Sequence, residues 1–169
     1  MSIEPVDYKK AKSIYDFTVN NINGEPVSLE KYKGHVCIIV NVASECGFTK
    51  NHYEELVEIF DQYSDSNGLR ILAFPCNQFA GQEPGNSAEI VDFIKSKNVN
   101  FDVFEKVNVN GSEGSPLWKY LKLKQGGVLG DFIKWNFTKF IIDKEGQPVE
   151  RHGPNTSPKE LIESLAKYW

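Results

Sequence analysis

The chain has 169 residues, 40% hydrophobic and 25% charged, ordinary proportions for a folded globular protein. That length suits one domain with a full apolar core, and residues 1–169 read as a single domain. A net charge of −4 argues against general nucleic-acid binding, and no apolar run is long enough for a membrane helix.

Residues 1–12 are polar, so poor order is expected there, and they lack the apolar centre of a secretory signal. Ile14, Phe17 and Val19 lead to Asn23-Gly24, which predicts a hairpin with a type I′ turn and a second short strand at 26–28. Leu29 to Gly34 reads as a turn. The apolar run Val36 to Ala43 predicts a buried strand, and Tyr53, Leu56, Val57 and Phe60 then recur at helical spacing. Leu69 to Phe74 is the next buried strand, and Pro75 ends it. A long amide- and glycine-rich loop follows, Cys76 to Gly85; loops of that length tend to carry function.

Asn86 with Glu89 three residues on predicts a capped helix start, with Ile90, Phe93 and Ile94 as its apolar stripe. Val103 to Val109 is weakly strand-like and stops at Asn110-Gly111. Ser115-Pro116 starts a short helix that turns Leu117, Trp118 and Leu121 inward. After the Gly126 to Gly130 loop, Ile133 to Ile142 reads as a strand, and Lys144-Glu145-Gly146 turns it into Val149 to His152. Ser157 and Glu160 form a capping box for a last helix that packs Leu161, Leu165 and Trp169 inward. Together these elements predict an α/β protein of thioredoxin-like fold: a central mixed β-sheet flanked by helices, preceded by an N-terminal β-hairpin.

The chemistry centres on Asn41-Val42-Ala43-Ser44-Glu45-Cys46-Gly47-Phe48-Thr49, which puts Cys46 on a strand-to-helix turn. Free N–H groups and the positive end of a helix dipole favour a thiolate there, the reactive form of cysteine. Gly47 is expected to let the chain turn tightly and leave the sulfur approachable. Most free cysteines are small core residues, and Cys37, inside an apolar run, reads that way. Cys46, flanked by Ser44, Glu45 and Gly47, reads as a nucleophile. Three cysteines without a Cys-x-x-Cys pair form neither a disulfide scaffold nor a zinc site, and His35, His52 and His152 are too scattered to hold a metal. A reducing compartment fits, most simply the cytoplasm.

Three stretches together resemble the glutathione peroxidase family: Asn41 to Gly47, Phe74 to Glu83 (FPCNQFAGQE), and Lys134 to Phe140 (KWNFTKF). The resemblance runs from about Ile14 to the last helix. It implies a thioredoxin fold, reduction of hydrogen peroxide and organic or lipid hydroperoxides, and a catalytic tetrad of Cys46, Gln82, Trp135 and Asn136. Cys46 stands where the family carries selenocysteine or cysteine. The other three are neutral hydrogen-bond donors, suited to stabilise a sulfur anion and a developing oxyanion. Taken singly, Trp135 would more often be core, and Gln82 and Asn136 turn-forming residues.

The resemblance also implies no bound cofactor, with glutathione as reducing co-substrate. Relatives that use thioredoxin carry a resolving cysteine in the helix after the second motif, where this chain has Lys95. Lys50, Lys95 and Lys134 could attract the carboxylates of glutathione. Lys50, Lys134 and Lys139 also read as a basic rim for transient contact with anionic membrane headgroups, or equally as solvated charges. The short connection from Tyr120 to Lys134 resembles the monomeric phospholipid-hydroperoxide branch. Two alternatives remain: a thioredoxin-dependent peroxidase with Cys76 as resolving thiol, and a redox relay passing oxidation from Cys46 to a partner protein.

Overall fold

A computed structural model describes residues 6–127 and 129–169. The apolar run at 36–43 becomes the central strand, because every residue of Cys37–Val42 (β3) is buried on both faces. Before it, Thr18–Asn20 (β1) and Pro26–Ser28 (β2) form a separate antiparallel pair. After it come helix Thr49–Tyr63 (α1), strand Arg70–Pro75 (β4), helix Ser87–Ser96 (α2) and the short strand Asp102–Val103 (β5). Helix Pro116–Lys124 (α3), strands Lys139–Ile142 (β6) and Pro148–His152 (β7), and helix Ile162–Ala166 (α4) complete the order.

The five-stranded sheet runs β5-β4-β3-β6-β7. β3, β4 and β5 are parallel, while β6 runs against β3, and β7 against β6. This is the mixed, helix-flanked, thioredoxin-like sheet expected from the order of elements. Side chains alternate between two layers. Cys37, Ile39, Leu72, Phe74, Phe140 and Cys76 pack toward α3, and Ile38, Val40, Ile71, Ala73 and Ile141 pack toward α1 and the C-terminal helix.

Several boundaries differ from the sequence reading. The first hairpin exists, but its turn is not type I′, which needs a positive φ at both central residues. Gly24 has φ 82°, whereas Asn23 does not lie in that region; the Asn21 side chain organises the loop by accepting from the Asn23 and Glu25 amides. The strand-like 103–109 stretch contributes only the end of β5. Residues 133–138 leave the sheet altogether, and β6 begins at Lys139. The expected final helix opens as a 3-10 turn, Pro158–Leu161, under the predicted capping box, and half-buried Trp169 stacks on Tyr63. Of the N-terminal stretch, Val6, Tyr8 and Ala11 pack against the core, while residues 1–5 lie outside the described residues.

Candidate active site

β3 and β4 are parallel and end side by side, Val42 opposite Pro75, while antiparallel β6 starts at that same end. The three motif loops therefore converge at the carboxyl edge of the central strands, where open α/β sheets form their sites.

Cys46 lies in the turn between β3 and α1, half-buried against the α1 layer. Thr49 ties this turn together. Its hydroxyl donates to the Ala43 carbonyl at 2.7 Å and accepts from the Cys46 amide at 3.1 Å. The Phe48 amide points at the Cys46 sulfur, N to Sγ 3.5 Å, ahead of the first helical residue. Gly47 does not have a positive φ, so the turn itself does not demand glycine. A Cβ there would meet nothing within 4 Å, so the space around it does not demand glycine either.

The second loop reaches Gln82 through two successive left-handed residues, Ala80 at φ 57° and Gly81 at φ 62°. That costs strain at the alanine, and such strain collects at functional sites. The loop is then stitched to the Cys46 turn: the Glu45 amide donates to the Gln82 carbonyl at 3.0 Å, and the Ser44 amide to Glu83 Oε1 at 3.2 Å. Glu83 is buried with Oε2 unpartnered, and burial raises its carboxyl above the ordinary range.

The third loop is shaped by Asn41, the first residue of the first motif and fully buried. Its side chain donates to the Trp135 carbonyl (3.2 Å) and accepts from the Thr138 amide (3.0 Å), while its backbone carbonyl accepts from the Phe137 amide (2.7 Å). These bonds divert 135–138 into a turn, with Phe137 at φ 62°, and explain why the predicted strand starts late. The turn carries Asn136 inward, where Nδ2 donates to Gln82 Oε1 at 2.9 Å. Asn136 is fully buried and its Oδ1 has no partner, a costly arrangement that ordinary turns avoid. Half-buried Trp135 packs on Phe79 of the second loop, ring centroids 5.8 Å apart. With its carbonyl side used by Asn136, Gln82 keeps its amide N–H groups for another acceptor.

The lysines separate. Lys50 opens α1 with its side chain 82% exposed, near Glu54 at 3.7 Å. Lys95 is exposed in the last turn of α2, the end away from the Gln82 loop. Lys134 bends back onto the Gly130 and Phe132 carbonyls, at 2.6 and 3.1 Å, and over the Phe132 ring. Lys139 is not a rim residue. It is fully buried, and its ammonium donates to His52 Nε2 (2.8 Å), the Gly153 carbonyl (2.9 Å) and the Thr156 carbonyl. The strand alternation turns it into the α1 layer, so it cannot meet a membrane or substrate carboxylate.

Cys37 is buried as expected. Cys76 is buried too, and burial raises its thiol above the ordinary range. It lies in the α3 layer, whereas Cys46 packs on the α1 layer.

His52 supplies a pH-dependent element. Burial first, and then the Lys139 ammonium, lower it from the ordinary 6.5 to about 4. Between those values the unfolded chain takes up a proton that native His52 refuses. Native stability is therefore expected to fall as the pH drops through that window, with a slope from this residue approaching about 1.4 kcal/mol per pH unit. Denaturant unfolding of wild type and His52→Asn across the window checks this. The variant should lose part of the slope, and equal slopes would refute the assignment.

A sheet of this order, with one half-buried thiol among its three cysteines on the strand-to-helix turn, marks a thiol-dependent protein of the thioredoxin-like class. A family model described as glutathione peroxidase matches residues 14–122. The chain is 54% identical to the glutathione peroxidase of Schistosoma mansoni over 155 residues, 91% of each chain. It is 50% identical to the phospholipid hydroperoxide glutathione peroxidase of Bos taurus over 164 residues, 96% of this chain and 83% of that one. The crystal structure of T. cruzi GPX1 superposes with a TM-score of 0.78 at 40% identity, covering 93% of this chain and 96% of the other. The chain belongs to the glutathione peroxidase family, in its phospholipid-hydroperoxide branch.

Asn41, Thr49, Glu83 and His52 were not singled out as site-building residues from sequence, and Lys139 was read only as part of an exposed rim. A polar Asn41 inside a run of buried apolar residues was the available signal.

Proposed function

We propose that the chain reduces hydroperoxides through Cys46, with glutathione as the reductant. The observation that carries this reading is the stitching of Gln82 to both partners: its carbonyl to the residue before Cys46, its side chain to Asn136. The Cys46 thiolate attacks one peroxide oxygen, an S–O bond forms and the O–O bond breaks. Sulfur is oxidised by two electrons to a sulfenic acid, and the alkoxide or hydroxide leaves with a proton as alcohol or water. The amide of Gln82, the amide of Asn136 and the indole N–H of Trp135 are donors at every physiological pH. They favour the charge that develops on oxygen in that step.

A glutathione thiolate then displaces water from the sulfenic acid, giving a mixed disulfide with Cys46. A second glutathione releases the Cys46 thiol and leaves as oxidised glutathione. The packing of Cys76 in the α3 layer and of Cys46 against the α1 layer supports an external thiol. A disulfide needs Cα atoms within about 7 Å and side chains aimed at each other, and Cys76 is aimed into the opposite layer. Exposed Lys50, one turn from Cys46, is the lysine best placed to attract a glutathione carboxylate.

Intact-mass analysis tests the reductant. One equivalent of peroxide followed by limiting glutathione is expected to give a single glutathione adduct on Cys46. A Cys46–Cys76 disulfide formed before glutathione is added, and rapidly reduced by thioredoxin, would instead establish the thioredoxin-dependent cycle.

A further inference from the structure

Lys139 and His52 form a buried polar pair that the peroxidase chemistry does not use. An uncompensated ammonium in a protein interior is costly, so its partners are informative. Lys139 faces three acceptors: the Gly153 carbonyl, the Thr156 carbonyl and His52 Nε2. An ammonium has three hydrogens to meet them. His52 Nδ1 lies 3.1 Å from the Phe48 carbonyl, which can only accept, so the ring hydrogen sits on Nδ1 and Nε2 is left to accept from Lys139. The same ring packs against Phe137, centroids 4.7 Å apart, and edge-on to Phe48 at 5.9 Å. The Phe48 carbonyl also takes the His52 amide at 3.1 Å, so two bonds hold that residue. Its own N–H is the one directed at the Cys46 sulfur.

We propose that Lys139 and His52 are positioning residues for the Cys46 sulfur: the buried ammonium orients the His52 ring, the ring holds Phe48, and the Phe48 amide is thereby kept aimed at Sγ. Because His52 also touches Phe137, the pair links the Cys46 turn to the turn that carries Asn136. Burial lowers Lys139 to about 7, and the carboxylates of Glu160 and Glu55 act against that, favouring its charged form.

The proposal rests on Cys46 as the reacting sulfur, but its test does not need peroxidase activity. The pH profile of Cys46 alkylation by iodoacetamide is measured in wild type, Lys139→Met, His52→Phe and His52→Asn, with Leu121→Ala in the α3 layer as a destabilised control. Lys139→Met and His52→Phe are expected to move the profile to higher pH and slow alkylation at neutral pH roughly tenfold, one unit's worth of thiolate. His52→Asn keeps a donor toward the Phe48 carbonyl and should recover part of the rate. Leu121→Ala should lose stability without moving the profile. Profiles unchanged in Lys139→Met and His52→Phe would overturn the proposal, as would a shift of the same size in Leu121→Ala.

Should the buried-site variants fail to fold, the unaltered protein decides. Nitrogen-15 spectra are expected to show neutral His52 with hydrogen on Nδ1, and a Phe48 amide proton that moves as Cys46 titrates. The other tautomer, or a Phe48 amide blind to Cys46, would overturn it. If Cys46→Ser kept peroxidase activity, the functional reading would fail, while the alkylation profile would still decide the positioning role.

Discussion

Cys46→Ser is expected to abolish hydroperoxide turnover while leaving the fold intact. A serine hydroxyl is scarcely ionised at neutral pH and is a poor nucleophile toward peroxide oxygen, so the chemical step loses its reagent. The fold should survive because Cys46 is only half-buried and the turn is held by Thr49 and the 44–45 amides, not by sulfur. Cys37→Ser gives the contrast. There a hydroxyl enters a fully buried run, with an expected stability cost of about 1–3 kcal/mol and most of the activity retained. Turnover of hydrogen peroxide and of a phospholipid hydroperoxide, alongside thermal melts, separates the two effects. Substantial turnover by the Cys46 variant would end the assignment of that sulfur.

The next largest effects are expected at the neutral donors. Gln82→Ala, Asn136→Ala and Trp135→Phe should each slow Cys46 oxidation by about a hundredfold, the usual loss when one donor to a developing oxyanion is removed. Oxidation has to be followed directly by stopped flow, because a slow reductant would hide it in steady-state rates. The three variants should not behave alike in stability. Gln82→Ala strips the fully buried Asn136 amide of its one recorded partner, and leaving a buried polar group unpaired costs about 1–3 kcal/mol. Trp135→Phe keeps a ring against Phe79 and should be the mildest to the fold. Unchanged oxidation rates in all three would mean that these residues only shape their loops.

Much of this arrangement was legible in the sequence because it depends on local pattern. Alternating and continuous apolar runs specified β3, β4 and the faces of α1, and the Asn86–Glu89 and Ser157–Glu160 pairs marked helix starts that the structure retains. What local pattern could not show was competition from elsewhere in the chain. Residues 133–138 carry a strand-like sequence, but Asn41, remote in sequence, takes up their backbone groups and bends them away from the sheet. Lys139 failed as a surface residue for a similar reason. A lysine at that position looks solvated until His52 and two carbonyls from the 153–156 loop close around it. Gly47 was read as allowing a tight turn and an approachable sulfur, yet its backbone needs no positive φ and a Cβ there would meet nothing within 4 Å.

The central sheet also works as a partition between sulfurs. Cys37 and Cys76 pack into the α3 layer and Cys46 against the α1 layer, so the sole half-buried thiol packs in a different layer from the other two. In the proposed cycle each peroxide consumed is settled from outside, and the supply of soluble thiol sets how long the sulfur dwells one step from irreversible damage. A new cysteine on the α1 side of the sheet would offer such a chain a direct route to self-contained cycling.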